Sequence, residues 1–220
     1  GDVYKRQAHF SLTLFFTFIL HNILEYFIHK HFGHKRSQWM TLFYQRHNQE
    51  HHNFYTMNQM SFDSHRDWRV LFFPPVALVG MSTLVAGVGF VLLEALFDSS
   101  VAGAYGFSMV AIYLLYEFCH GVYHLREGHW LQKLPILKPM TKIHKLHHDR
   151  TKMGEQNLNI ILPLTDFFMG TLASPYRPKT KGEKRGSGFM ALIDKNSFSH
   201  WLMNYSENRT LSVENYLILK

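Results

Sequence analysis

Four tight histidine clusters, lying between positions 29 and 148, constrain this chain more than any other feature. Of its 16 histidines, ten fall in HKHFGH (His29, His34), RHNQEHH (His47, His51, His52), HGVYH (His120, His124) and HKLHH (His144, His147, His148). Neutral imidazole is the commonest metal ligand. One metal takes roughly four to six ligands, so ten imidazoles suit two metals. A fold that uses them all must bring four separated segments to one place.

The spacings say how. In a helix, residues i and i+4 lie about 40° apart, and i and i+3 about 60° apart on the other side. His120 and His124 then share a face one turn apart. His144, His147 and His148 make the tightest three-imidazole face a helix can offer. His29 and His34 are spaced i, i+5, and His47, His51 and His52 are spaced i, i+4, i+5. Those two clusters need a local irregularity or a bridge between the two metals.

The clusters sit beside apolar runs. Residues 8–28 read as a membrane helix of about 20 residues. Residues 70–97 form a second run, with Pro74 and Pro75 near its entry, where a helix start tolerates proline. Residues 98–103 read as a turn, and 104–123 as a third run ending in the HGVYH cluster. Mean hydropathy is only −0.14, because very polar histidine-rich stretches offset these runs. The 98–103 loop has no Lys or Arg, whereas the cluster-bearing segments carry many, from Lys30 to Lys152. The positive-inside rule therefore puts all four clusters on the cytoplasmic side. The expected fold is all-α: polytopic membrane helices with a cytoplasmic helical cap, residues 30–69 and 125–172, holding a histidine-rich dinuclear metal site.

A net charge of +7 raises the question of nucleic acid, but no nucleic-acid motif is present. The charge fits membrane-flanking segments next to anionic lipid. The single Cys119 excludes an intrachain disulfide and reads as a small buried residue. The opening GDVYKRQ resembles a translated adapter scar, so residues 1–7 are expected to be non-native. Residues 8–173 then form the membrane domain, and 174–220 a polar tail.

Six further residues are expected to orient ligand rings or to serve the site. His21 is an ionisable residue inside an apolar helix. Glu25 lies one turn before His29, and Glu117 three residues before His120; each is placed to hold a ligand imidazole. Asn157, Asn159 and Asp166 follow the last cluster and suit the same role.

The order H-x4-H, H-x3-HH, H-x3-H, H-x2-HH, with apolar helices before the first and third boxes, resembles the fatty acid hydroxylase superfamily of sterol desaturase-like membrane proteins. EYFIHKHFGH, FDSHRDWR, YEFCHGVYH and HKLHHDRTKMGEQNLNIILPLTDFFMGT carry the likeness, which runs from about residue 20 to 172. One departure is the second box, often H-x2-HH in that superfamily, which here has an extra residue before His51. The resemblance implies two iron ions, with zinc as a substitute, held by His29, His34, His47, His51, His52, His120, His124, His144, His147 and His148. No catalytic residue beyond these ligands is implied. It implies a lipid substrate, oxygen insertion into a C–H bond, and a cytochrome b5-like or ferredoxin-type electron donor. The expected location is a bacterial inner membrane, ahead of the endoplasmic reticulum.

Two other readings remain. A desaturase, or a carotenoid or sterol-methyl oxygenase, would use the same scaffold. A membrane metal-binding or transport protein would place its ionisable residues along a path through the bilayer, whereas here the boxes crowd at one interface.

Overall fold

The computed structural model describes residues 2–173, and the expected 174–220 tail, with His200, lies outside them. The described residues are helical, with no β-strand beyond a single bridge between Thr56 and Gln59. α1 (Asp2–Ile28) runs on into a π-helical turn, His29–Gly33. α2 (Thr41–Tyr44), a second π-helical turn (Gln45–His51) and α3 (His52–Phe54) follow without interruption. Next comes α4 (Trp68–Leu71). α5 (Pro75–Ser82), a third π-helical turn (Thr83–Gly87) and α6 (Val88–Leu96) continue one another. α7 (Ser99–Tyr123), α8 (Leu137–His147) and α9 (Leu164–Met169) complete the order.

Three helical stretches are long and apolar enough to cross a membrane: Tyr4–Gly33, Val79–Leu96 and Ser99–Tyr123. Three boundaries differ from the sequence reading, the first being that α1 starts at Asp2 rather than at residue 8. The apolar run from Val70 is broken, because Pro74 and Pro75 lack an N–H and disfavour helix before them. Val70 and Leu71 therefore end α4, and the crossing helix restarts with Pro75 in its first turn. The third crossing begins at Ser99, not Ala104. The Asp98 carboxylate accepts from the amides of Ser100 (2.7 Å) and Val101 (3.0 Å), which caps a new helix at once and leaves a very short turn.

α7 packs on α1 along one side and on α6 along another. Small buried residues, Ala102, Ala104 and Ser108, let its neighbours approach. At Gly89 the contact with α7 admits no side chain: a Cβ would lie 2.3 Å from the Tyr105 ring. The Tyr105 hydroxyl donates to the Val85 carbonyl (3.1 Å), inside the third π-helical turn, which frees main-chain groups for such bonds. Outward faces carry exposed Phe16, Val91 and Phe107, an apolar surface that suits lipid rather than water.

Beyond the crossings, α8 lays Leu137, Met140 and Ile143 against Tyr116, Cys119, Val122 and Tyr123 of α7 and against Ile160 and Ile161. A buried polar lattice ties α1 to the segment before α9. The Asn22 side chain donates to the Leu162 carbonyl (2.7 Å) and accepts from the Thr165 amide (2.9 Å). The Glu25 carboxylate accepts from the Ile160 amide (2.5 Å) and the Asn159 side chain (3.3 Å). Asp166 accepts from the Asn159 amide (2.7 Å) and the Thr171 hydroxyl (2.7 Å). Such bonds make polar burial tolerable, and they tie the non-helical backbone at 157–161 to the end of α1.

Candidate metal centre

The two irregular clusters lie on the π-helical turns. The His34 amide donates to the His29 carbonyl (3.1 Å), and the His52 amide to the His47 carbonyl. These i+5→i bonds define the π turn and put histidines five apart on one side. His29 and His34 stack with ring centroids 4.9 Å apart, and His47 and His52 meet at 4.7 Å.

Nine imidazoles sort into two groups, within each of which the ligand nitrogens all lie within 4.8 Å of one another. One holds His29, His34, His47, His52 and His147; the other holds His51, His124, His144 and His148. His120 falls outside that distance, yet its ring lies 4.7 Å from His51 and 5.0 Å from His124 and His144, and both its nitrogens are buried without a partner. The HKLHH triplet is divided: His144 and His148, one turn apart, share a group, and His147 turns to the other. His51 is separated from His47 and His52 in the same way. The second and fourth boxes thus each contribute to both groups, which holds the groups adjacent.

Main-chain carbonyls set the ring orientation. Nδ1 faces a carbonyl oxygen in His29 (Leu158, 2.5 Å), His51 (Val70, 3.2 Å), His124 (Met60, 2.7 Å), His147 (Gln156, 3.0 Å) and His148 (Tyr55, 2.7 Å). A carbonyl only accepts, so Nδ1 donates and the inward Nε2 of each neutral ring is a bare lone pair. The rings are held neutral. Burial pushes His148 down to about 4 and His47, His51, His52, His124, His144 and His147 well below the usual imidazole value.

The inward nitrogens nevertheless crowd together. His29 Nε2 is 2.7 Å from His47 Nε2, and His34 Nε2 is 3.2 Å from the Nε2 atoms of both His29 and His147. His144 Nε2 faces His124 Nε2 at 3.0 Å and His148 Nε2 at 3.1 Å. His144 can offer one proton there, to two lone pairs. A cation turns this surplus of lone pairs into coordination, since ligands about 2.1 Å from one ion stand about 3 Å apart. No carboxylate enters either group; the donor set is all nitrogen.

The six residues expected to support the site are placed as follows. None hydrogen-bonds a box imidazole among the described residues. Glu25, Asn159 and Asp166 act on the backbone whose Leu158 carbonyl receives His29. Asn157, at φ +57°, donates to the Ile143 carbonyl (3.1 Å) and accepts from the Ala173 amide (2.8 Å). Glu117 accepts from the Tyr113 hydroxyl (2.6 Å). His21 makes no hydrogen bond within the described residues and lines a cavity. Sequence reasoning missed the orienting carbonyls, which carry no side-chain signal. It also missed Asn48, whose Oδ1 accepts from His34 Nδ1 (3.2 Å), although its place beside His47 was a clue. Tyr55 is fully buried against His124, ring centroids 4.3 Å apart. The other histidines lie elsewhere: His9, His31 and His65 are exposed, and His129 accepts from the Leu131 amide (3.3 Å).

A mainly apolar cavity of about 110 Å³ reaches the first group from the membrane-crossing helices. His21, Leu24, Glu25 and Ile28 of α1, Met81 and Val85, and Met109, Tyr113 and Tyr116 of α7 line it, together with His29, Phe43 and Phe73. Phe43 and Phe73 stack over the His47 ring.

Fold and site together define a helical membrane protein with a buried, histidine-rich centre able to hold metal. A family model described as fatty acid hydroxylase matches residues 14–171, and the chain belongs to that family, whose members are generally oxidoreductases. The search of curated proteins and the search of solved structures found no match.

Proposed function

We propose that the chain is an O2-dependent lipid hydroxylase that inserts one oxygen atom into a C–H bond at a di-iron centre. The observation that carries this is the surplus of inward, unprotonated Nε2 atoms beside an apolar cavity. One ion would be held by His29, His34, His47, His52 and His147. The other would be held by His51, His124, His144 and His148, with His120 beside them. Iron bound there supplies the redox chemistry that activates O2. Overall, substrate C–H, O2, two electrons and two protons give C–OH and water.

The protein's own residues do the rest. The carbonyls of Leu158, Val70, Met60, Gln156 and Tyr55 hold the rings in one tautomer. Phe43 and Phe73 screen His47 from water. Leu24, Ile28, Met81, Val85 and Met109 give an apolar chain a dry path to His29, so that a C–H bond is positioned rather than diffusing. The box-bearing segments outside the crossings carry exposed basic residues, including Lys35, Arg36, Lys133, Lys138 and Arg150. That charge supports a cytoplasmic placement and docking of an acidic cytochrome b5-like or ferredoxin-type donor.

The test is incubation of the iron-loaded full-length protein with reductant, membrane lipid and isotopically labelled O2. A lipid product carrying one labelled oxygen atom is expected. An unlabelled oxygenated product contradicts hydroxylation, and a product that loses two hydrogens without gaining oxygen assigns a desaturase. No lipid change across a broad panel favours a metal-binding protein.

A further inference from the structure

The cavity that leads to the centre is not uniformly apolar. His21 sits on its wall and makes no hydrogen bond within the described residues, although its ring can both donate and accept. Ser82 lines the same cavity, and its Oγ is buried with no partner among the described residues. A serine in a membrane helix ordinarily bonds a carbonyl one turn back, as Ser108 does to Ala104 (2.5 Å). Ser82 does not. Three other polar groups around the cavity are satisfied within the fold: Glu25 by Ile160 and Asn159, Tyr113 by Glu117, and His29 by Leu158.

An ionisable ring inside an apolar helix is usually functional or paired, and a buried hydroxyl without a partner is costly unless something pairs with it. Their place in the fold says what. His21 lies eight residues before His29 on a continuous helix, about 12 Å along its axis. His21, Leu24, Glu25 and Ile28 form one stripe that faces the cavity. A ligand that fills the cavity reaches from the reacting end at His29 to the level of His21, well inside the apolar part of α1. Water could satisfy these groups only by filling a space that the oxygenase reading needs dry.

We propose that His21 and Ser82 form a polar subsite for a hydrogen-bonding oxygen group, hydroxyl or keto, carried by the lipid about 12 Å from the reacting position. The substrate is then an already oxygenated lipid, not a plain saturated acyl chain. This deepens the lipid hydroxylase reading and rests on it. It also places the reaction after one that installs the first oxygen.

The test is lipid binding to the purified full chain in detergent micelles, read as bound lipid by native mass spectrometry. The probes are octadecanoic acid and a positional series of hydroxyoctadecanoic acids. The protein should retain one positional isomer about tenfold better than octadecanoic acid, the worth of one to two buried hydrogen bonds. His21→Leu and Ser82→Ala should each reduce that preference several-fold, and the double variant should abolish it. His21→Gln, which still donates and accepts, should keep part of it. Unchanged binding of octadecanoic acid shows that a variant is folded. Equal binding of all probes by the unaltered protein, or a preference that survives His21→Leu and Ser82→Ala, overturns the subsite and leaves the lipid reading standing. Failure of the unaltered protein to hold any of the probes overturns both.

Discussion

Gly33 closes the first π-helical turn, and its missing side chain is what seats two rings. A Cβ built there would lie 3.0 Å from His29 Cδ2, 3.1 Å from His47 Cδ2 and 3.4 Å from Phe43 Cε1. Carbon atoms rest at about 3.5–4.0 Å, so in Gly33→Ala the His29 and His47 rings must yield by a few tenths of an ångström. His29 cannot swing freely, because its Nδ1 is tied to the Leu158 carbonyl at 2.5 Å. Metal–ligand distances hold to about 0.2 Å, so the shift exceeds what coordination accepts. The expected cost is about 10–100-fold in affinity at the His29 group, with about 1–3 kcal/mol of stability lost to overpacking. Chelator-competition titration with elemental analysis should find two metals per chain in the unaltered protein and one tightly held in Gly33→Ala. Gly103→Ala is the control, since a Cβ there meets nothing within 4 Å. Two ions held with unaltered affinity in Gly33→Ala would refute the reasoning.

Three further outcomes follow from the same geometry. His148→Ala removes a nitrogen that faces His144 at 3.1 Å and should abolish turnover, whereas exposed His65→Ala should leave it intact; equal losses in folded protein would undo the box assignment. Asn159→Ala breaks bonds to Asn22, Glu25 and Asp166 and should cost about 1–3 kcal/mol, read as a lower Tm in detergent. The metal-free protein should lose stability on acidification: His148 titrates at about 4 when folded against 6.5 for the ordinary group. The unfolded chain therefore binds protons first, so stability is full above about pH 6.5 and falls toward pH 4. A Tm that is flat or rises across that window contradicts neutral burial of the ring.

Much of this is legible in the sequence. The apolar runs gave three crossings, because length and hydropathy are local properties. The i, i+5 spacing of His29 and His34, and of His47 and His52, called for a helix end, a local irregularity or a bridge between the metals; the π turns are that irregularity. What the sequence concealed were relations between distant segments. Nothing in HKLHH says that His147 will part from His144 and His148, because that depends on where the HKHFGH and RHNQEHH segments dock. Glu25, Asn159 and Asp166 looked like partners for ligand rings, yet they hold the backbone that presents the Leu158 carbonyl. Carbonyls are the same in every residue, so no pattern of side chains marks the ones that orient a histidine.

The central claim is that nine histidines from four segments, with His120 beside them, offer ring nitrogens to two metal ions. X-ray absorption on the iron-loaded full-length protein, with iron and protein quantified on the same sample, tests it most directly. Two irons per chain are expected, each with nitrogen neighbours at about 2.0–2.2 Å and the outer scattering of imidazole rings. One iron per chain, or a shell dominated by carboxylate oxygen or sulfur, would contradict it.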